Sequence, residues 1–297
     1  MPFILIKGTF HLVSAGANGQ PNGFQPDGDS IQFKPANLSL LDKLTQIKRP
    51  IHLSAIQSTQ LRFEGIDALE LHFAGAARHQ PRPLADDARD FLTGLLGLNP
   101  VPYTPPNNIT VDPPVPHDAA PGYILSRSLE VNGRPVAFAY GGDAPEADGS
   151  MVFLDDNRLR QSLNFALVES GNAYPLFYDT LFVSLRNELA AAAEQARLLG
   201  RGLWPNDASQ SGLAVQQALD LEQNGVIFPK LFRRLSEFLS EGIGGTNEFL
   251  GWLAATLEQV LDLTTTNVTH FDNLVAVDGT IVKLLLPPER LVFISAK

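Results

Sequence analysis

The stretch Leu61-Arg62-Phe63-Glu64-Gly65-Ile66-Asp67-Ala68-Leu69-Glu70 sets the strongest constraint on how this chain can fold. An apolar strand carrying one arginine runs into two carboxylates three positions apart. Side chains of a regular strand alternate between its faces. Arg62 and Asp67, an odd number of positions apart, therefore point opposite ways unless the strand ends or bulges between them. Gly65 is the residue that permits such a break, and we expect one there. Upstream, Pro26-Asp27-Gly28-Asp29-Ser30 is turn chemistry that offers a further carboxylate. Carboxylates are hard oxygen ligands for a divalent cation and act as bases toward water, while a guanidinium fork matches the oxygens of a phosphate. The inventory suits metal-assisted phosphodiester chemistry, although an arginine and two acids at a strand end are also the makings of an ordinary surface ion pair.

Around that stretch the pattern is strands first and helices later. Phe3, Leu5, Phe10, Leu12 and Val13 mark a long first strand or hairpin, with a kink expected near Gly8. Residues 16–23 read as a turn. Residues 30–33, 52–56 and 61–66 read as strands, and 38–44 as a short helix. Residues 84–96 are apolar at helical spacing with acids in the first turn. Residues 99–122 form a proline-rich loop with one short strand at 109–111. A hairpin about Asn132-Gly133 joins 123–131 to 135–140 and carries Arg134. Helices follow at 155–170 and 180–199, the latter ended by Gly200 and Gly202. This order indicates an α+β fold with a small antiparallel barrel. From about Ser211 the pattern changes to three helical segments, 213–221, 228–239 and 246–263, with one or two short strands in 274–293. We expect a domain over 1–210 and a mainly helical extension over 211–297, with residues 290–294 available to pair with the N-terminal strand.

Composition narrows the function. At 297 residues and 44% hydrophobic, the chain can build a real core, and 22 prolines and 24 glycines fall mainly between the periodic segments. There are no cysteines, which removes disulfides, thiolate metal sites and a cysteine nucleophile. The apolar start at Phe3–Ile6 has no basic residues ahead of it and breaks at Lys7 and Gly8, so it reads as a strand and not as a secretory signal. No segment approaches the ~18 apolar residues that span a bilayer. We expect a soluble, cytoplasmic protein with no membrane partner. The formal net charge of −10 argues against a duplex nucleic-acid substrate, which basic surfaces bind by releasing counterions. A metal supplies local positive charge, and short or single-stranded pieces need only a small cationic groove.

Taken in order, Asp27-Gly28-Asp29-Ser30, Leu61-Arg62 through Asp67 and Glu70, Ala85 and Ala88 on a helix, Gly133-Arg134-Pro135-Val136-Ala137-Phe138-Ala139-Tyr140, Leu163-Asn164 to Gly171, and Ala193-Glu194-Gln195-Ala196-Arg197 to Gly202-Leu203-Trp204 resemble the staphylococcal nuclease (thermonuclease) family over roughly residues 1–210. The resemblance implies a five-stranded, OB-fold-like antiparallel barrel with packed helices. It implies calcium-dependent hydrolysis of phosphodiester bonds in DNA or RNA, single-stranded by preference. Asp29 and Asp67 become the calcium carboxylates, Glu70 the general base, and Arg62 and Arg134 the clamps on the phosphate. Tyr174 and Tyr178 fall near the family's nucleotide-stacking tyrosines and are candidate substrate contacts. The chain departs from the family at Ala68 and Leu69, where threonine and proline are usual, and at Val131 and Asn132, where lysine and tyrosine are. The alternative is a non-catalytic nucleic-acid or protein-binding module on the same barrel, and a protein partner is expected to use the C-terminal helices.

Other candidates are weaker. His72 follows Glu70 by two residues and could aid phosphate binding, whereas His52, His79 and His117 lack helical metal spacing. Gly242-Ile243-Gly244-Gly245-Thr246-Asn247 lacks the lysine of a phosphate loop and reads as a helix cap. Phe228-Pro229-Lys230-Leu231-Phe232-Arg233-Arg234-Leu235 is basic and amphipathic, and we read it as helix packing with solvated arginines.

Overall fold

The computed structural model describes residues 2–12, 14–15, 21–22, 26–46, 48–76, 78–98 and 119–295. Of the turn expected at 16–23, residues 16–20 and 23 lie outside the described residues and Pro21–Asn22 pairs as a strand with Ser14–Ala15; the strand expected at 109–111 also lies outside the described residues. Contacts divide the chain into two compact units, one formed by 1–64 and 89–167, the other by 65–88 and 168–297. These boundaries do not coincide with the expected one near residue 210. The first break falls at the Glu64–Gly65 bond, inside the stretch that organises the sequence.

The first unit is built on a barrel-like sheet. A path of six strands runs Thr59–Gln60, Gln32–Pro35, Phe3–His11, Ala120–Leu129, Pro135–Gly141 and Arg62–Phe63, with Met151–Val152 added beside Phe3–His11. Its first and last members are separated in sequence by Leu61 alone, so the sheet almost closes on itself. On one side of residues 59–63, Leu61 N–H donates to Ile31 O (2.9 Å) and Phe63 N–H to Asp29 O (3.0 Å). On the other side Arg62 and Phe63 pair in parallel with Val136 and Ala137. Closure removes edges that would otherwise seek partners. Leu5, Ile6, Phe10, Phe33, Leu61, Phe63, Ile124, Leu125 and Phe138, on or between these strands, are buried, and Phe10 and Phe33 meet with ring centroids 5.1 Å apart.

The strand expected to kink at Gly8 runs unbroken over Phe3–His11. Glycine serves a different purpose there: a Cβ at Gly8 would lie 2.2 Å from the carbonyl oxygen of Lys34. The hairpin about Asn132-Gly133 is present, and the strand expected at 52–56 is absent. Residues 155–170 hold two short helices, Asp156–Leu159 and Leu163–Glu169, in place of one. The helix read at 84–96 spans Arg82–Leu95, with Ala85, Ala88 and Leu92 buried at helical spacing.

The second unit is mixed. Ile66–Ala68 pairs antiparallel with Ala173–Pro175. A four-stranded sheet is ordered Phe177–Tyr178, Leu291–Phe293, Gln259–Asp262, Asn267–His270, and a three-stranded one Leu213–Ala214, Ile281–Leu284, Val275–Asp278. The helices Val183–Leu198, Pro229–Glu241 and Phe249–Ala255 accompany them. Residues 211–297 therefore combine short strands with their helices. The helix expected over 246–263 stops at Ala255, because Leu257 takes a left-handed conformation (φ 52°) and the chain leaves as the strand Gln259–Asp262. Leu291–Phe293 pairs with Gln259–Asp262 and with Phe177–Tyr178, not with the N-terminal strand. The core collects Tyr174, Phe228, Phe232, Phe238, Phe249, Phe271 and Phe293, all fully buried.

Candidate active site

Gly65 has φ 79°, a conformation that side chains with a Cβ adopt rarely. Residues 59–63 end their pairing before it, and Ile66–Ala68 begins a different two-stranded sheet after it. The break that the spacing of Arg62 and Asp67 requires is thus present.

In the first unit Asp29 is buried, and its Oδ2 accepts a hydrogen bond from Arg62 Nη1 at 2.7 Å. Glu64 follows two residues after Arg62 and is also buried. Its N–H donates to Ala137 O (2.9 Å) and its carbonyl accepts from Asn164 Nδ2 (2.9 Å). Asn164 Nδ2 also donates to Ala137 O (3.0 Å), and its Oδ1 accepts from Ala139 N–H (3.0 Å), so one buried amide ties two strands together. Burial pushes the Glu64 carboxyl up to about 7, against the opposing pull of Arg127 and then Arg62. Arg127 lies 4.9 Å from the centroid of the Phe3 ring.

Arg134 sits in the hairpin turn, where the Glu130 carboxylate gathers the local donors. Glu130 Oε1 accepts from Asn132 N–H (2.9 Å), Arg134 N–H (3.1 Å) and Arg134 Nε (3.3 Å). The guanidinium is held to its own turn through Nε, and its two terminal nitrogens have no hydrogen-bond partner among the described residues.

In the second unit Asp67 and Glu70 are brought together by a residue that the sequence did not single out. Arg233 Nη1 donates to Asp67 Oδ1 (3.1 Å) and to Glu70 Oε1, and Nη2 donates to Asp67 Oδ2 at 2.8 Å. Two carboxylates converge on one cationic nitrogen. Burial pulls the Arg233 guanidinium down, but the charges and hydrogen bonds of Asp67 and Glu70 more than reverse this, so its proton is held well above the ordinary arginine range. Arg233 is therefore not the solvated arginine expected from the amphipathic pattern. Neither are its neighbours on the same helix face. Lys230 Nζ lies 2.5 Å from Glu258 Oε1, and Arg234 Nε donates to Glu258 Oε2 at 3.0 Å.

The turn at Glu70 is fixed by Gln80, which is fully buried. Gln80 Oε1 accepts from Glu70 N–H (3.0 Å), and Gln80 N–H donates to Glu70 O (2.8 Å). Gln80 Nε2 donates to Gly225 O (2.7 Å) and Ile227 O (2.8 Å), the residues that lead into the Arg233 helix.

Tyr174 is not placed to meet a substrate. It is fully buried, its hydroxyl donates to Asp207 Oδ1 at 2.8 Å, and its ring packs edge-on against Trp204 and Phe228. A base has no open face there on which to stack. Tyr178 is half-buried, with Lys230 Nζ 5.4 Å from its ring centroid and 3.3 Å from its hydroxyl. His72 is buried.

Asp67 and Glu70 thus bear on the same Arg233 nitrogen as an internal ion-pair cluster. Among the described residues no cluster of three or more His, Asp or Glu is placed to hold a metal, so further ligands would have to be backbone oxygens and water. No helix among the described residues is long and apolar enough to cross a membrane. Neither protein-family models nor curated proteins give a match to the chain.

Proposed function

We propose that this chain is a staphylococcal nuclease-like phosphodiesterase on a five-stranded, OB-fold-like barrel, acting with calcium on DNA or RNA, single-stranded by preference. The observation that carries the reading is the convergence of Asp67 and Glu70 on a single positive centre. Counting residues 59–63 as one strand leaves five strands on the barrel path, with Met151–Val152 as a sixth beside Phe3–His11.

By the resemblance, Asp29 and Asp67 would hold calcium, which would polarise the phosphoryl oxygen. Glu70 accepts a proton from the attacking water. Arg62 and Arg134 supply forks whose charge stabilises the phosphorane-like transition state, a task for which lysine is a poor substitute. Among the described residues the two terminal nitrogens of Arg134 have no hydrogen-bond partner, whereas Arg62 shares its fork with Asp29. Tyr178 remains a candidate contact to substrate, and Tyr174 does not.

A second reading is favoured by a specific observation. Each charged residue of the set already has an internal partner: Asp29 with Arg62, Asp67 and Glu70 with Arg233, Arg134 with Glu130. A barrel whose acids are neutralised internally can serve as a non-catalytic module for nucleic acid or, through its C-terminal region, for protein.

Digestion of single-stranded DNA with calcium and with chelator separates the two, using wild type, Glu70→Gln, Arg62→Ala and Arg233→Ala. The phosphodiesterase reading expects calcium-dependent cleavage that Glu70→Gln and Arg62→Ala abolish. No calcium-dependent cleavage by wild type or Arg233→Ala, or cleavage indifferent to both other substitutions, leaves the binding module.

A further inference from the structure

We propose that the outer edge of the strand Met151–Val152 is a docking surface for a second copy of this chain, the two edges pairing antiparallel about Val152. The inference does not depend on the phosphodiesterase reading, and its residues lie wholly within the first unit.

Three observations carry it. First, Val152 and Leu154 are buried, whereas Met151 and Phe153 are 60% and 72% exposed. One face of the segment packs inward and the other presents two large apolar side chains to water. Open sheet edges are ordinarily guarded by charge or proline, and residues 151–153 carry neither. Second, the backbone on this edge is open. Among the described residues Met151–Val152 pairs with Phe3–His11 alone. Phe3 is opposite Val152 and Ile4 opposite Met151, and Leu5 N–H donates to Ser150 O (2.9 Å). Bonded and unbonded pairs alternate along an antiparallel ladder, so Val152 bonds to Phe3 while Met151 faces Ile4 unbonded. The N–H and C=O of Met151 therefore point away from Phe3–His11, and those of Phe153, two residues on, point the same way. Third, the edge is complementary to itself. A two-fold axis at Val152 sets Met151 opposite Phe153 of the second copy and Phe153 opposite its Met151. Both are bonded pairs in this phase, which gives four backbone hydrogen bonds and two apolar cross-strand pairs on one face. An axis at Met151 or at Phe153 would instead set the other exposed residue against Gly149 or Asp155. That self-match identifies the occupant, since an unrelated strand requires no symmetry of the edge. So short an edge buries less than the roughly 1,200 Å² of a stable interface, and the dimer is weak and reversible. The net charge of −10 on each copy opposes it further, so salt strengthens it by screening.

Sedimentation velocity of the full chain across the micromolar range, at low and high salt, reads the association. The wild-type sedimentation coefficient is expected to rise with concentration, and to do so at lower concentration in high salt. Phe153→Lys changes an exposed side chain and puts a charge on the edge, and should weaken association about tenfold. Met151→Pro removes an N–H that points away from Phe3–His11, and should weaken it as well. The chain has no cysteine, so the register can be read by disulfide formation. Opposed residues of a bonded antiparallel pair have Cα atoms about 5.5 Å apart, within disulfide reach. An equimolar mixture of Met151→Cys and Phe153→Cys should give a cross-linked dimer under mild oxidant, and either variant alone should cross-link about tenfold more slowly. Wild type that stays monomeric at every concentration and salt overturns the proposal and leaves the edge to a strand of some other protein. Association that Phe153→Lys leaves unchanged overturns it too, as does cross-linking of either single variant as fast as the mixture, which would mean another register. Should Met151→Pro fail to fold, Phe153→Lys and the cross-linking decide the matter.

Discussion

A carboxylic acid buried beside two arginines, as Glu64 is beside Arg127 and Arg62, is most stable in the fold when it carries its proton. Its folded pKa is raised from 4.5 to about 7, so the native state holds a proton that the unfolded chain releases sooner. Stability contributed by this group is therefore full below pH 4.5 and is lost as pH rises through 7, by up to ~3 kcal/mol. Glu64→Gln should remove that slope, and at pH 8 it should be more stable than wild type. Urea unfolding at pH 5 and pH 8 checks this; equal pH slopes in the two proteins would contradict it. At the same scale, Gln80→Ala strips the Glu70 turn and the carbonyls of Gly225 and Ile227 of their shared partner, and should cost about 2–4 kcal/mol. Tyr174→Phe should cost about 1 kcal/mol through the lost Asp207 hydrogen bond and leave ligand affinity unchanged. Residue types and spacing singled out Arg62, Asp67, Glu70 and an acid of the Asp27-Gly28-Asp29 turn, whereas the choice of Asp29 and the addition of Arg134 came from the family resemblance. Their partners were not legible, because nothing local links Asp67 to an arginine 166 positions away. Lys230, Arg233 and Arg234 do share a helix face at spacings of three and four, and a basic face on an apolar helix in an acidic chain was the available signal.

Among elements, the break at Gly65 was legible because side-chain alternation is a rigid rule and glycine relieves it. Gly65→Ala would put a Cβ 2.6 Å from Leu189 Cδ1 in a backbone region that disfavours it. A loss of about 1–3 kcal/mol is expected by thermal or urea unfolding. The helix expected over 246–263 failed for the opposite reason. Its apolar spacing continues through Leu257, but the left-handed turn there has no signature in a leucine. Leu257 is exposed, so Leu257→Gly should relieve the backbone without opening a cavity and raise stability by up to ~1 kcal/mol. The destination of residues 291–293 was equally hidden, since strand pairing depends on which edges the rest of the fold leaves open.

For the whole molecule, α+β class and a barrel-like sheet followed from the order of strands and helices. The division into two units did not, because the second unit draws on 65–88 as well as on the C-terminal half. Sequence order gives no hint of that return. It has a chemical consequence: the acids nearest the break, Asp67 and Glu70, fold in the same unit as Arg233 and pair with it. With a net charge of −10 the chain has little general attraction for nucleic acid, and a bound cation becomes correspondingly important to any phosphodiesterase activity. The most direct test of the account is cleavage of single-stranded DNA by the wild-type protein with calcium and with chelator, compared with Glu70→Gln. The account predicts calcium-dependent cleavage that disappears with Glu70→Gln; no calcium-dependent cleavage by the folded protein, or cleavage that survives Glu70→Gln, would contradict it.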